Sequence, residues 1–191
     1  MGHSIKNIEH LGSKLKVDGE VYDYVIDATW GAFTALNPEL INYFYEPTIL
    51  FYLRLKLNGK FPAITLMDGS FASIYPTEVD NVYTLSSVEH TPCGKYFHKR
   101  DAYDFLENIS NEFIENKWDL MQKEISLYVE NFNEQFELIK PQFSIKTKPV
   151  SKSDDRSLRL KRIGNYFSVL PGKIDNIFQA SDWILGELTR Q

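Results

Sequence analysis

The fold of the front of the chain is set by the stretch Asp18-Gly19-Glu20-Val21-Tyr22-Asp23-Tyr24-Val25-Ile26-Asp27-Ala28-Thr29-Trp30-Gly31. Lys14 to Val17 alternates as a strand does, and Asp18-Gly19 is a strong hairpin turn. Val21 to Ala28 then predicts the returning strand. The Val25-Ile26 end of that strand is apolar on both faces, which is typical of a buried parallel or central strand. Residues 5–11 predict one more short strand ahead of the hairpin.

The other end of the chain carries a second informative stretch, Leu170-Pro171-Gly172-Lys173-Ile174-Asp175-Asn176-Ile177-Phe178-Gln179-Ala180-Ser181-Asp182-Trp183. Its Pro-Gly pair predicts a loop that opens a helix from Lys173 to about Thr189. Residues 157–163 and 166–170 predict a hairpin just before it. We expect the helix to pack beside the Val21–Ala28 strand. Its predicted buried residues are Ile177, Phe178, Ala180, Ile184, Leu185 and Leu188.

Between these two ends the sequence predicts a sheet with a helical layer. The antiparallel meander is predicted to use residues 48–57, 61–67, 71–76 and 81–88, with turns at Asn58-Gly59 and Asp68-Gly69. Residues 101–135 have apolar side chains at helical spacing, which predicts one long helix or two in series. Pro141 is expected to stop this segment, and 143–149 to form a strand. A short helix is predicted over residues 38–45.

These elements predict a single α+β domain over residues 1–191. Its sheet should be mixed but mostly antiparallel, with about six strands, and should carry the long helix on one face. Aromatic residues make up 14% of the chain, which predicts a core or cleft walled by rings.

Composition excludes several classes of function. The formal net charge of -5 argues against a nucleic-acid footprint, since binding phosphates needs clustered Lys and Arg. Cys93 is the only cysteine, so no internal disulfide forms and a reducing compartment is expected. No apolar stretch reaches the roughly eighteen residues of a membrane span, and the start lacks the apolar core of a signal peptide. We therefore expect a cytoplasmic protein without membrane contact.

Several familiar chemical motifs are missing from the sequence. No G-x-G-x-x-G follows any strand, so the usual dinucleotide cradle is absent. The four histidines show no metal-ligand spacing, and no metal site is predicted. Glu89-His90 has no nucleophile with it, and Cys93 is expected to be inert. No catalytic residue can be assigned.

The quoted stretches resemble a known family. Asp23 to Gly31 looks like the "ATG-type" strand end of FAD-dependent oxidoreductases of the D-amino-acid oxidase kind. Residues 68–76 are similar to a strand of that family's substrate domain, as is Lys146-Thr147-Lys148 followed by Asp154-Asp155-Arg156-Ser157. Pro171 to Asp175 resembles the loop and last helix that meet the flavin ring. The pieces occur in the right order and cover nearly the whole chain.

The resemblance implies the C-terminal, substrate-domain part of such an enzyme, without the lobe that binds the adenine nucleotide. Residues 12–36 and 164–191 would be the remnant of the FAD-binding lobe, and 37–163 the substrate-type domain. The chain would then be an expressed fragment, the product of a truncated gene, or half of a split enzyme whose other chain supplies the front. A remnant without its lobe should expose apolar surface, which a second copy or a partner would cover.

The resemblance also implies a cofactor, FAD, and residues that would contact it. A cofactor passing close to Ala28, Thr29, Trp30 and Gly31 needs small residues, and Trp30 departs from that pattern. Pro171, Gly172, Lys173 and Ile174 open a helix whose unpaired N–H groups and positive end would stabilise negative charge on a reduced flavin. The alternative for both segments is an ordinary turn or loop-to-helix junction.

Substrate contacts are predicted from side-chain chemistry. Arg156 and Arg159 could hold a substrate carboxylate in their guanidinium forks, with a surface salt-bridge network as the alternative. Tyr52 and Tyr75, together with His90, could line a substrate cleft, or be structural residues.

Three functions remain open on the sequence alone. The first is the substrate-binding and flavin-capping portion of an FAD-dependent oxidoreductase that removes hydride from a C–N or C–O bond of a small molecule. The second is a non-catalytic ligand-binding or protein-interaction module derived from that fold. The third is an unrelated α+β binding domain, which would be supported if the first strand and last helix did not lie side by side.

Overall fold

The computed structural model describes residues 5–31, 43–67, 71–150 and 157–190 of the chain. The chain divides into two compact units. The first unit consists of Met1–Tyr43 with Pro149–Gln191, and the second unit is Phe44–Lys148. The separate assignment of 12–36 and 164–191 to a cofactor lobe, and of 37–163 to a substrate domain, stays a prediction.

Strands and helices both occur, so the predicted α+β class is confirmed. The strands are β1 (Ile8–Leu11), β2 (Lys14–Val17), β3 (Glu20–Tyr22), β4 (Val25–Asp27), β5 (Tyr43–Leu55), β6 (Ile64–Thr65), β7 (Ala72–Pro76), β8 (Val82–Ser87), β9 (Phe136–Pro149), β10 (Arg159–Ile163) and β11 (Tyr166–Leu170). The helices are α1 (Lys99–Glu107), α2 (Asn111–Ile125), α3 (Phe132–Gln135) and α4 (Asn176–Thr189).

The described strands belong to three sheets, where the sequence predicted one sheet of about six strands. The predicted strand over residues 21–28 is divided between two of them, β3 in one and β4 in another. The side-chain amide of Asn165 donates to the carbonyl of Asp23 at 2.8 Å, at the point where the chain leaves the first of these sheets. A side chain therefore replaces a strand partner there, which periodicity alone does not reveal.

The hairpin predicted at Asp18-Gly19 is confirmed. β1, β2 and β3 form an antiparallel sheet in that order. Asp18 and Gly19 both have positive φ angles, 45° and 102°, as such a turn requires. Leu15 of β2 is fully buried and packs with Ile8 and Tyr166.

A second sheet, in the order β10-β11-β4, forms the centre of the first unit. β10 and β11 make the predicted antiparallel hairpin. β11 pairs in parallel with β4, with Phe167 opposite Ile26. The sheet carries Tyr166 and Val25 toward the β1-β2-β3 cluster, and Phe167 on its other face.

Helix α4 is anchored to that other face. The rings of Phe167 and Trp183 meet edge to face, with centroids 5.7 Å apart. The guanidinium of Arg162 lies 5.2 Å from the Phe167 ring and donates to the backbone carbonyl and the carboxylate of Glu187. Arg162 belongs to β10 and reaches the last turn of α4, where backbone carbonyls have no partner within the helix. These contacts fix α4 beside β11.

The prediction that α4 buries its apolar face is wrong for three residues. Ile177, Phe178 and Leu185 are 64%, 75% and 57% exposed, whereas Ala180 is buried. The sheet beneath α4 has three strands, so it covers only part of a helix whose apolar stripe is wider.

The second unit is built on a five-stranded sheet in the order β6-β7-β8-β5-β9. The antiparallel meander is confirmed, although β6 keeps only two residues of the predicted 61–67 strand. The predicted turn at Asp68-Gly69 falls outside the described residues.

Residues 101–135 were predicted to form one long helix or two in series. The structure has successive helices there, α1, α2 and the short α3. The break falls where the hydroxyl of Ser110 accepts a bond from the N–H of Phe113 at 3.1 Å and caps α2. α2 then buries Met121 and Ile125 against the sheet, whose inward residues include Phe51, Leu53, Ile74 and Leu85.

Two predicted boundaries shift. Pro141 was expected to end the helical segment, but it lies inside β9, the edge strand of the sheet. A proline is tolerated on an edge, since its missing N–H deprives no neighbour of a bond. The helix predicted at 38–45 is not formed at Tyr43, which begins β5, and residues 38–42 lie outside the described ranges.

Candidate functional site

An apolar groove of about 560 Å³ lies in the first unit, between β4, the end of β11 and helix α4. Because residues of both β4 and α4 line the groove, the strand and the last helix lie side by side, as expected. A separation of these two elements would have supported an unrelated α+β domain, and it is not observed. The groove is lined by Ile26, Ala28, Val169, Pro171, Lys173, Ile174, Ile177, Ala180, Ser181, Ile184, Leu185 and Leu188.

The groove brings together both segments predicted to meet a cofactor. Ala28, Pro171, Lys173 and Ile174 are among its lining residues. The other four predicted residues, Thr29, Trp30, Gly31 and Gly172, are not. The role of all eight residues in cofactor binding stays a prediction.

The groove residues that come from the two segments predicted to meet a cofactor are mostly apolar. Ala28 and Ile174 are apolar, and among the described lining residues only Lys173 carries a charge. The backbone N–H groups of Gly172 and Lys173 both donate to Oδ1 of Asn176, at 3.2 and 3.0 Å. The amides that were predicted to face a flavin are therefore already bonded, and the Lys173 ammonium remains as the group able to favour negative charge.

Sequence reasoning missed Asn176 as the partner of these amides. It stands at the first position of α4, four residues after Gly172. An asparagine near a helix start is a recognisable signal, because its side chain readily accepts from nearby backbone N–H groups.

A buried hydrogen-bond network holds the strand end that leads into Ala28. Oδ2 of Asp27 accepts from the Tyr166 hydroxyl at 2.6 Å. Oδ1 accepts from the N–H and the hydroxyl of Thr29 at 2.9 and 2.6 Å. Burial, followed by the bond and charge of Asp27, raises the pKa of Tyr166 far above its ordinary value. The phenol therefore stays a proton donor, and the carboxylate fixes the turn that follows β4.

The turn after Thr29 has an unusual backbone. Trp30 has φ 56° and Gly31 has φ 72°, so both lie in the left-handed region. Glycine adopts that region freely, but for a bulky residue it is strained. The Trp30 side chain is 49% exposed. Trp30, the bulky residue in a segment expected to hold small ones, therefore has a backbone conformation that favours glycine.

Two of the predicted substrate residues lie close together in the second unit. Tyr52 of β5 is opposite Thr84 of β8, and Thr84 is opposite Tyr75 of β7. Residues that pair directly across antiparallel strands point to the same face. The row Tyr52-Thr84-Tyr75 therefore lies on one face of the sheet, the opposite face from Phe51, Leu85 and Ile74, which pack against α2.

This sheet face is polar and aromatic. The Tyr75 hydroxyl shares a hydrogen bond with the hydroxyl of Thr65, and the Tyr75 ring is 48% exposed. The Lys140 ammonium of β9 lies 5.8 Å from the Tyr52 ring. Two rings, several hydroxyls and a nearby cation can orient a small ligand that carries aromatic and hydrogen-bonding groups.

Among the remaining predicted residues, the two that the structure describes, Arg159 and His90, do not join this row. Arg159 belongs to β10 of the first unit and pairs with Leu170, and Arg156 lies outside the described residues. Nε2 of His90 lies 3.7 Å from a carboxylate oxygen of Glu124 on α2. That largely buried pair joins the turn after β8 to the helix, which is a structural role.

Cys93 and possible metal ligands can be assessed within the described residues. Burial raises the pKa of the Cys93 thiol to about 11, against the opposing effect of Lys117. In the ranges that the structure describes, no group of three or more His, Cys, Asp or Glu residues could hold a metal ion. Over the same ranges, no helix is long and apolar enough to cross a membrane.

Comparison with known proteins relates the chain to flavoenzymes. No protein-family model matches it. It is 43% identical over 185 residues to the FAD-dependent monooxygenase FPY4 of Fusarium mangiferae, an alignment that covers 97% of this chain and 49% of that protein. Its fold is similar to that of the FAD dependent oxidoreductase PA4991 from Pseudomonas aeruginosa, with a TM-score of 0.51 and 14% identity, over 98% of this chain and 52% of that one.

The chain thus spans about half the length of each of these proteins. The general resemblance to FAD-dependent oxidoreductases is supported by the first comparison in sequence and by the second in fold. The narrower resemblance to the D-amino-acid oxidase kind stays a prediction. The chain is similar to one part of an FAD-dependent oxidoreductase.

Proposed function

We propose that the chain is the substrate-binding and flavin-capping part of an FAD-dependent oxidoreductase. The observation that carries this proposal is the 43% identity to an FAD-dependent monooxygenase over nearly the whole chain. The groove supports it, because it gathers residues from both segments that the sequence related to flavin binding.

FAD, when bound, supplies the redox chemistry, and the protein binds and orients. Ala28 and Ile174 would wall the ring at the end of the groove. Lys173 would favour the negative charge that a reduced ring carries. Asp27, through Thr29, would hold the turn that follows Ala28 in one conformation.

The row Tyr52-Thr84-Tyr75 would contact the substrate, a small molecule with an aromatic or similarly planar group. Sequence reasoning pointed to hydride removal from a C–N or C–O bond. The name of the Fusarium relative adds transfer of an oxygen atom as a second form of the reaction. The two forms give different products: the first loses two hydrogens, and the second gains one oxygen.

The first experiment is the visible absorption spectrum of the chain after incubation with FAD and gel filtration. It is done with the chain alone and with the chain co-expressed with the part of FPY4 that the alignment leaves uncovered. We expect a flavin band that stays with the complex. Protein that is colourless in both preparations would overturn the proposal.

Substitution at the groove makes the experiment specific. Lys173→Ala should lower the retention of FAD by the complex, whereas Lys146→Ala, an exposed lysine of β9, should not. Equal retention by the two variants would remove Lys173 from the proposed site. Product masses from turnover under labelled dioxygen then separate oxygen transfer from dehydrogenation.

A non-catalytic module is the second candidate, and one observation favours it. The sequence holds no G-x-G-x-x-G loop, so the chain does not carry the usual cradle for the FAD pyrophosphate. This candidate predicts that the complex never retains flavin, while small aromatic ligands still shift the resonances of Tyr52 and Tyr75.

A further inference from the structure

One face of the five-stranded sheet carries positive charge next to its aromatic rings. The Lys140 ammonium lies 5.8 Å from the centre of the Tyr52 ring. Arg54 follows Tyr52 by two residues on β5, so its side chain points to the same face, where it is 60% exposed. We call this surface the polar sheet face. Its members are Thr65, Ser73, Tyr75, Thr84, Tyr52, Arg54 and Lys140.

The two cations of this face lack strong anionic partners. Lys140 forms no ion pair with any residue that the structure describes. Arg54 meets a carboxylate oxygen of Glu137 at 4.0 Å, and both of these side chains are more than half exposed. Exposed ion pairs contribute little. The polar sheet face therefore holds positive charge that an added anion can neutralise.

The two tyrosines leave room for one flat ring between them. Tyr75, Thr84 and Tyr52 form a row across three neighbouring strands. Neighbouring strands are about 4.8 Å apart, so the two tyrosines are separated by about 10 Å, with the smaller threonine in between. Aromatic rings attract each other when their centroids are about 4.5–7 Å apart. A planar group above Thr84 can therefore contact both tyrosine rings.

Polar groups border the same gap. The Tyr75 hydroxyl shares a hydrogen bond with the hydroxyl of Thr65, and Thr65 is paired with Ser73 across β6 and β7. Hydroxyl groups can donate to an oxyanion, and the flexible four-carbon stem of a lysine lets its ammonium follow one. An acidic group at the edge of the ring would thus meet hydroxyl donors and the Lys140 ammonium.

We propose that the polar sheet face binds a planar substrate whose ring carries an ionised oxygen, as a phenolate, an enolate or an aryl carboxylate does, and that Lys140 selects for this charge. The inference rests on the proposed function, in which this face meets the substrate. It narrows the substrate from any planar small molecule to an anionic one. Lys140 acts as a binding and orienting residue, and the reaction itself needs nothing from it.

A substrate with a cationic amine fits the polar sheet face less well. Lys140 and Arg54 would repel it, and the members of the face include no aspartate or glutamate to hold it. A neutral ring would gain the stacking on Tyr52 and Tyr75 without any contribution from the two cations. The charge of this face therefore argues against an amine as the group that is oxidised.

The test measures binding to the purified chain, without FAD, by NMR titration of the tyrosine ring signals. The probes are para-nitrobenzoate, the neutral para-nitrobenzamide and the cationic para-nitrobenzylamine. We expect para-nitrobenzoate to bind at least about fivefold more tightly than the other two, and added salt to weaken its binding by screening. A fourth probe, para-nitrophenolate, distinguishes the two sources of charge. Its preference over para-nitrobenzoate, or the reverse, assigns the site to an ionised hydroxyl or to a carboxylate, and both results support the inference.

Substitution of Lys140 makes the test specific. Lys140→Ala should weaken binding of para-nitrobenzoate by about fivefold and leave binding of para-nitrobenzamide unchanged. Lys140→Arg keeps the charge and should keep the preference for the anion. The matched control is Lys123→Ala, an exposed lysine of α2, the helix that packs against the opposite face of the sheet. Both lysines are exposed, so neither substitution should change thermal unfolding.

Three results would overturn the inference: a neutral or cationic probe that binds as tightly as para-nitrobenzoate, equal binding of that anion by Lys140→Ala and Lys123→Ala, or no effect of any probe on Tyr52 and Tyr75. Failure of the proposed function looks different. A chain that selects anions through Lys140, in a complex that never retains FAD, keeps the anion site and removes the flavoenzyme role. A complex that retains FAD while this face shows no preference for charge removes only the anion site.

Discussion

The hydroxyl of Tyr166 donates a 2.6 Å hydrogen bond to Oδ2 of Asp27, and the two residues are 139 positions apart in the sequence. Both are buried, at 4% and 7% exposure. The bond ties β11 to the end of β4, directly beside the turn that leads into the groove. Because Asp27 also accepts two bonds from Thr29, this one carboxylate links the parallel strand pair to the conformation of the turn.

Tyr166→Phe should lower the free energy of unfolding by about 1–3 kcal/mol, since it removes a partner from a buried carboxylate. Urea unfolding followed by circular dichroism measures the change. Tyr128→Phe, at a position 58% exposed, is the control and should change stability by less than about 0.5 kcal/mol. Equal effects of the two variants would mean that the bond to Asp27 contributes nothing to stability.

Alkaline pH should lower the free energy of unfolding, because Tyr166 loses its proton there. The pKa of Tyr166 in the folded chain is raised above its ordinary value, first by burial and then by Asp27. Its contribution to stability is therefore complete below about pH 10 and is lost as the pH rises beyond that point. The difference in unfolding free energy between the natural chain and Tyr166→Phe should narrow above that pH. A difference that stays constant would contradict the raised pKa.

Cys93 should react slowly with thiol reagents in the folded chain. Burial raises the pKa of its thiol to about 11, so at pH 8 only roughly one thousandth is thiolate. The rate of modification by a disulfide reagent should rise on the order of a hundredfold in denaturing urea. Comparable rates in the two conditions would show that the thiol is neither buried nor suppressed.

The local elements of this fold could be predicted because turn chemistry and periodicity are local signals. The Asp18-Gly19 hairpin, the strands of the meander and the 159–170 hairpin all follow from patterns within about ten residues. The groove also had a local basis, because Ala28 and Pro171 each follow a strand end, and the two strands pair in parallel.

The errors arose where a distant partner decides the structure. Asn165 bonds to Asp23 and separates β3 from β4, and nothing within residues 21–28 indicates that break. The exposed face of α4 is another such case. Its apolar stripe predicts burial, but burial depends on how many strands lie beneath it. The Tyr166–Asp27 bond joins residues too far apart in sequence for a pattern to connect them.

Ser110→Ala should destabilise the second unit by about 1 kcal/mol, because the hydroxyl caps α2 through the N–H of Phe113. Ser110→Asp keeps an oxygen acceptor and should remain close to the natural chain. Fluorescence of Trp118, whose ring lies 5.2 Å from that of Phe51, reports on the packing of this helix against the sheet. If both substitutions destabilise equally, the cap is not the cause.

At position 30, glycine should give a more stable protein than alanine, which is the reverse of the usual order. Trp30 has φ 56°, a conformation that costs a residue with a Cβ about 1–2 kcal/mol relative to glycine. Trp30→Gly should therefore be more stable than Trp30→Ala by about 1 kcal/mol. At Gly186, by contrast, alanine should be the more stable residue. Gly186 lies within α4, and a Cβ there would meet nothing within 4 Å. Gly186→Ala should therefore raise the free energy of unfolding by up to about 1 kcal/mol, because alanine has the higher helix propensity. Thermal unfolding of the three variants measures both differences. A Trp30→Ala protein as stable as Trp30→Gly would show that the turn relaxes out of the left-handed region once the indole is removed, and that the side chain, rather than Asp27 and Thr29, sets its backbone.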